Sequence, residues 1–218
     1  MSTLELIFDA HKSYKLWSWT NGSVHYVAHY IRRLHPNNTP SGRENIWTVR
    51  IGERGSERAP RSNRDEDADV GVVKLAFTRE AAKALEREAH CYAQLQDVQG
   101  IAVPRCLGHF HSKTKGVEMS CLVLDYCVGA PGEQMYEPHR KIMAAAYALH
   151  ERNVMHGDLL DGRHFVKNGR RMLIVDFAAA VPHQCPHNRE IRGPDGRRCI
   201  GVCPELSALA RIYGVYKP

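Results

Sequence analysis

Two β-branched runs, Asn45 to Gly52 (NIWTVRIG) and Val70 to Phe77 (VGVVKLAF), are bounded by glycine or charge and read as paired strands. Between them Glu53 to Asp69 has no periodicity and is crowded with charge, serine and proline, which predicts an exposed loop. Thr78 then offers its hydroxyl as an N-cap for a stretch rich in Ala, Glu, Lys and Leu that should be helical as far as Asp97. Arg105 to His111 and Met119 to Tyr126, separated by the turn segment Ser112 to Gly116, predict two further strands. The first half should therefore form a small antiparallel sheet with one long helix, although the pattern leaves residues 1–44 poorly defined. The cluster Gly129 to Gly132 breaks the pattern. A helix follows from Pro138 to Arg152, with Ile142, Ala145, Ala146 and Leu149 on one stripe. Asn168-Gly169 between two apolar runs is a hairpin signal. The Pro-, Gly-, His- and Arg-rich tail from Val181 ends in one more short helix, Pro204 to Tyr213.

With 43% hydrophobic and 25% charged residues among 218, the composition is that of a folding chain and not of a disordered or fibrous one. No fixed-period repeat is visible, which removes solenoids and propellers. No apolar run approaches the roughly 18 residues that span a bilayer, and Leu4 to Phe8 is too short for a secretory signal, so an intracellular, cytoplasmic chain without a membrane partner is expected. The seven cysteines, Cys91, Cys106, Cys121, Cys127, Cys185, Cys199 and Cys203, are odd in number and scattered, unlike a secreted disulfide framework. The net charge of +6 is dispersed, which argues against a nucleic-acid arm and fits a phosphorylated small molecule equally well.

Lys74 stands alone among the apolar residues of VGVVKLAF, and a buried ammonium must be paired or functional; the plainer alternative is an edge-strand lysine reaching solvent. On the following helix Leu85, Glu88, Tyr92 and Leu95 share one face, so Glu88 falls inside the apolar stripe and wants a cation, unless it lies at the stripe's solvated edge. Two carboxylates complete the set. Asp158 follows a His-Gly turn in MHGDLL, Asp176 ends the apolar run LIVDF, and the intervening hairpin should fold them together. Paired carboxylates serve a divalent cation and a hydroxyl nucleophile, although either aspartate alone could be a turn former.

In order and spacing these motifs resemble the protein-kinase-like fold family, particularly its small, divergent fungal members and related small-molecule kinases with HGD in place of HRD. The resemblance runs from Asn45 to Ala180 through VVKLA, LEREAHCYAQL, LVLDYC, ALHERNVMHGDL and IVDFA. It implies an α+β fold of two lobes: an N-lobe over residues 1–125, with the small sheet and long helix, and a shortened, mostly helical C-lobe over residues 126–218. It further implies an ATP-dependent phosphotransferase using Mg2+, in which Lys74 holds the α- and β-phosphates and Glu88 holds Lys74. Asp158 would be the catalytic base and Asp176 the magnesium ligand. The backbone of Asp125, Tyr126 and Cys127 would bind adenine, with Leu124 as gatekeeper, and the acceptor would be a protein or small-molecule hydroxyl.

Departures from the family pattern keep a second class open, a catalytically inactive pseudokinase acting as a binding or scaffold protein. No glycine-rich phosphate turn precedes Lys74; the nearest candidate, SGRENIW from Ser41 to Trp47, has one glycine. Arg163 or His164 stands where a metal-binding asparagine is expected. Only residues 177–218 follow Asp176, so VCPEL at Val202 to Leu206 is a faint echo of an activation segment, and a truncated product is a third alternative. In the tail His183, Cys185, His187, Cys199 and Cys203 are residue types that suit zinc, but their spacing matches no standard finger, and no structural metal is expected there.

Overall fold

The computed structural model describes residues 1–9, 12–18, 23–34, 45–53, 70–114, 117–127, 137–186, 190–192, 198–200 and 202–214. The loop from Glu53 to Asp69 beyond Glu53 itself, the Gly129 to Gly132 cluster, Ser41 to Glu44 of the candidate phosphate turn and His187 lie outside them. The chain forms two compact units, residues 1–89 with 106–126 and residues 90–105 with 127–218.

The first unit is a closed seven-stranded β-barrel. Its strands are β1 (Ser2–Asp9), β2 (Lys12–Ser18), β3 (His25–Arg33), β4 (Asn45–Glu53), β5 (Val70–Ala76), β6 (Cys106–Thr114) and β7 (Val117–Asp125), ordered β1-β2-β6-β7-β5-β4-β3 around the barrel. Every pairing is antiparallel except β1 with β3, which run parallel from Thr3↔His25 to Ile7↔His29. Strand alternation sends Leu4, Leu6, Leu16, Ala28, Val49, Val73, Leu75, Phe110, Cys121 and Val123 to the interior, where they form one buried cluster. Helix α1 (Arg79–Gln94) starts as its sequence dictates, with the Thr78 hydroxyl accepting the Ala81 amide at 3.2 Å.

The barrel corrects the two-lobe kinase-like fold that the motifs implied. The runs between Asn45 and Asp125 do form β4, β5, β6 and β7, but they do not remain a small open sheet. Residues 2–33, whose pattern was least legible, supply β1 to β3. These add to β4 on one side and to β6, through Trp17↔His111, on the other, and so close the sheet and remove both edges.

The second unit is not mostly helical either. It holds α2 (Pro138–Glu151) and α3 (Pro204–Tyr213) with short two-stranded pairings: β8 (Val154–Met155) with β11 (Val181–Pro182), β9 (Phe165–Asn168) with β10 (Arg171–Ile174), and β12 (Glu190–Arg192) with β13 (Arg198–Ile200). With α1 these are the three α-helices among the described residues. None is long and apolar enough to cross a membrane. The β9-β10 turn centres on Gly169-Arg170, because Asn168 pairs with Arg171 and only Gly169 has positive φ; this places the turn one residue beyond Asn168-Gly169. Inside the unit Tyr92 and Phe177 stack edge to face with centroids 5.1 Å apart, and Ile142, Met143, Ala145, Ala146 and Leu149 bury the inner face of α2.

Candidate functional site

The sequence-predicted residues fall into two clusters, each within its own unit. In the barrel unit the Lys74 ammonium donates to both carboxylate oxygens of Glu88, at 2.9 and 3.0 Å, with side chains only 5% and 1% exposed. Val73 and Leu75 point into the barrel, so Lys74 between them points out, onto the helix face that carries Glu88. Nearby on β6, burial and the negative charges of Glu88 and Asp125 push the Cys106 thiol up to about 12. Leu124 is buried and paired with Val72, Asp125 pairs with Gly71, and the Tyr126 amide donates to the Val70 carbonyl at 3.3 Å. Leu124 and Asp125 end β7, Tyr126 follows it in the first unit, and Cys127 opens the next segment of the second.

The second cluster lies on the loop after β8 and on the turn after β10. Gly157 has φ +82°, and a Cβ there would lie 2.8 Å from the Ala179 carbonyl oxygen, so glycine between His156 and Asp158 is a steric requirement. The amides of His156 and Gly157 donate to the two carboxylate oxygens of Glu205 at 3.2 and 2.7 Å. The buried His156 ring hydrogen-bonds the Val175 carbonyl through Nε2 at 3.1 Å, and burial draws its pKa down, favouring the neutral ring as donor. The Val175 amide in turn donates to the His164 carbonyl at 3.0 Å, which clamps the two loops together.

On this frame His164 stands between the two aspartates: Nε2 lies 3.2 Å from Asp158 Oδ2 and Nδ1 lies 3.9 Å from Asp176 Oδ2. Arg163 pairs with Asp158 through Nη2 and with Asp161 through Nε at 3.0 Å. Hydrogen bonds from Arg163 and His164 hold the Asp158 carboxyl below its usual range. It is therefore an ionised acceptor and a weak base at neutral pH, better suited to orienting a hydroxyl than to stripping it. Asp176 adopts the left-handed conformation, φ 70° and ψ 77°, which a non-glycine residue holds only where its surroundings demand it.

Magnesium asks for oxygen donors and commonly takes one or two carboxylates plus substrate phosphates. Asp158 and Asp176 fit that requirement. Arg163 cannot coordinate and the His164 imidazole prefers softer metals, so neither replaces the expected asparagine as a magnesium ligand. Their part in the cluster is electrostatic, Arg163 as a cation beside both Asp158 and Asp161, and His164 as the spacer between Asp158 and Asp176. Sequence reasoning missed that spacer role, and it missed Glu205. The signal available for Glu205 was a carboxylate at the second position of a Pro-started helix, in CPEL, where a first-turn acid meets backbone amides.

No family model matches the chain, and no curated protein matches it. The kinase-like resemblance thus rests on short motifs in a chain whose sheet closes into a barrel, and the family membership, with its pseudokinase and fungal associations, is withdrawn.

Proposed function

We propose that the second unit is a phosphoryl-transfer site, passing the γ-phosphate of a Mg2+-bound nucleoside triphosphate such as ATP to a hydroxyl acceptor. The observation that carries this reading is the pair of carboxylates, Asp158 and Asp176, held one imidazole apart by His164, with Asp176 in a strained backbone conformation. Bound Mg2+ would neutralise charge on the transferred phosphate. Asp176 would hold the cation, Asp158 would orient the acceptor hydroxyl, and the exposed Arg163 guanidinium would swing from Asp158 to the phosphate oxygens. Phosphoryl transfer asks mainly for positioning and charge neutralisation, so the weak basicity of Asp158 is no obstacle. The roles that the resemblance gave to Lys74, Glu88 and Leu124 to Cys127 carry no part of this proposal.

The test is thermal stability with ATP, with and without Mg2+, followed by phosphate release. Nucleotide at 100 times its Kd should add about 2.7 kcal/mol of stability, and only with the cation. Asp176→Asn should abolish that gain, whereas Asp158→Asn should keep it and lose turnover. The reverse pattern would overturn the assignment. A second reading, a site that binds without catalysis, is favoured by the Arg163 pairing, which already occupies the Asp158 carboxylate; magnesium-dependent binding without turnover in the wild type would select it.

A further inference from the structure

Outside that cluster, four potential metal ligands from three separated stretches of chain converge. His150 lies in the last turn of α2, His183 and Cys185 follow β11, and Cys203 is the residue before α3. One ligand atom from each lies within 4.8 Å of all the others. Cys203 Sγ is 3.5 Å from His150 Nδ1 and 3.5 Å from His183 Nε2. In a tetrahedral zinc site, with Zn–S of about 2.3 Å and Zn–N of about 2.0 Å, sulfur and nitrogen ligands stand about 3.5 Å apart. The two nitrogens therefore stand at the separation a shared zinc ion would require, and both are aimed at the same sulfur.

The groups around the cluster point the same way. His150 Nε2 lies 2.8 Å from Glu205 Oε2, so that nitrogen carries the proton and donates it to the carboxylate, leaving the Nδ1 lone pair directed at the cluster. A carboxylate behind a histidine is the usual support of a metal-bound imidazole. The backbone fixes His183 too, its amide donating to the Asn153 carbonyl at 2.7 Å. His150, Cys185 and Cys203 are buried, at 1%, 1% and 3% exposure. Two thiolates and two neutral imidazoles around Zn2+ sum to zero charge, which is the condition for burying an ion without a further partner.

We propose that His150, His183, Cys185 and Cys203 form a structural zinc site that fastens the end of α2, the segment after β11 and the start of α3 to one another. The expectation of no metal in the tail is thereby replaced. The tail spacing hid the site because one ligand comes from a helix upstream, while Cys199 and His187 are not needed. Through Glu205, which holds His150 on one side and the His156 and Gly157 amides on the other, the metal also fixes the loop that presents Asp158.

The experiment is metal analysis of the full chain purified without chelator, followed by replacement with Co2+. About one zinc per chain is expected, and the cobalt form should show the intense visible bands of a tetrahedral site together with thiolate-to-cobalt charge transfer. Cys203→Ser should lose the charge-transfer intensity in part and weaken binding at least tenfold. His183→Gln, at a half-buried position where folding is less at risk, should weaken Co2+ binding while circular dichroism stays unchanged. Protein with reduced thiols that takes up neither ion would overturn the proposal. So would a Cys185-to-Cys203 disulfide in freshly purified protein, or Co2+ spectra that His183→Gln leaves intact.

Discussion

Removing one partner of the Lys74–Glu88 pair tests whether the first unit tolerates either buried charge without the other. Both side chains are almost fully removed from solvent, and the ammonium reaches both carboxylate oxygens at hydrogen-bond distance. Lys74→Met leaves a buried carboxylate without this cation, and Glu88→Gln leaves a buried ammonium without this anion. Each should cost about 3–5 kcal/mol, because a buried charge loses its ion-pair partner. The double variant Lys74→Met with Glu88→Leu removes both charges, keeps approximate volume, and should recover most of the loss, because a well-packed apolar pair is often as stable as the ion pair it replaces. With a urea m-value of about 2 kcal/mol/M, the single variants should lower the unfolding midpoint by roughly 1.5–2.5 M and the double variant by under about 1 M. The assay is urea unfolding of all four proteins, monitored by circular dichroism for the barrel strands. Single variants within about 1 kcal/mol of wild type would refute the reasoning, since the pair would then be no more than a solvated contact.

Gly157→Ala should destabilise the second unit by about 2 kcal/mol or more, because it combines a positive φ with a Cβ 2.8 Å from the Ala179 carbonyl oxygen; a melting temperature within 1 °C of wild type would contradict this. Burial, and to a lesser extent the charge on His111, draws the His109 pKa down to about 4, while the unfolded chain titrates near 6.5. The unfolded state therefore binds the extra proton across that window, so His109 contributes stability that is complete above about pH 6.5 and is lost as pH falls towards 4, at most about 3 kcal/mol. His109→Gln, which can still reach the Ser120 hydroxyl, should flatten the stability-pH slope between pH 4 and 6.5 as measured by urea unfolding, and an unchanged slope would assign the acid sensitivity elsewhere.

What the sequence made legible was local. Hairpin partners close in the chain, such as β6 and β7, and helices with a start signal, such as α1 capped by Thr78 and α3 opened by Pro204, follow from periodicity and turn chemistry. The barrel did not, because closure depends on pairings that no local pattern encodes: β1 runs parallel to β3, and β2 meets β6 near residue 111. The alternation of Leu4 and Leu6 with Thr3 and Glu5 was there to be read, but it says only that one face is buried, not against what. The same limit applied to the candidate site. The stripe position of Glu88 identified its need for a cation, whereas the role of His164 depended on how the loops after β8 and β10 face each other. His150 sits four residues after Ala146 on the buried stripe of α2, so a histidine at a core position was the available sign of the metal cluster.

Glu205 explains why that cluster and the Asp158 loop belong to one construction. The second unit has few long pairings among its described residues: β8 meets β11 over two residues, and β9 meets β10 over four. Ladders this short hold little on their own, and beyond backbone bonds such as Val175 to His164 the loop between β8 and β9 is fixed by side chains. The Glu205 carboxylate supplies it by accepting from His150, His156 and Gly157 at once. Burial alone would raise its pKa, but the hydrogen bonds from His150, Gly157 and His156 outweigh that and hold it ionised. A carboxylate in this position is only as well placed as the helix that carries it, and α3 is ten residues long, too short to be fixed by its own helicity. Zinc on Cys203, two residues before Glu205, anchors the start of that helix, and its binding energy is then folding energy for the loop bearing Asp158.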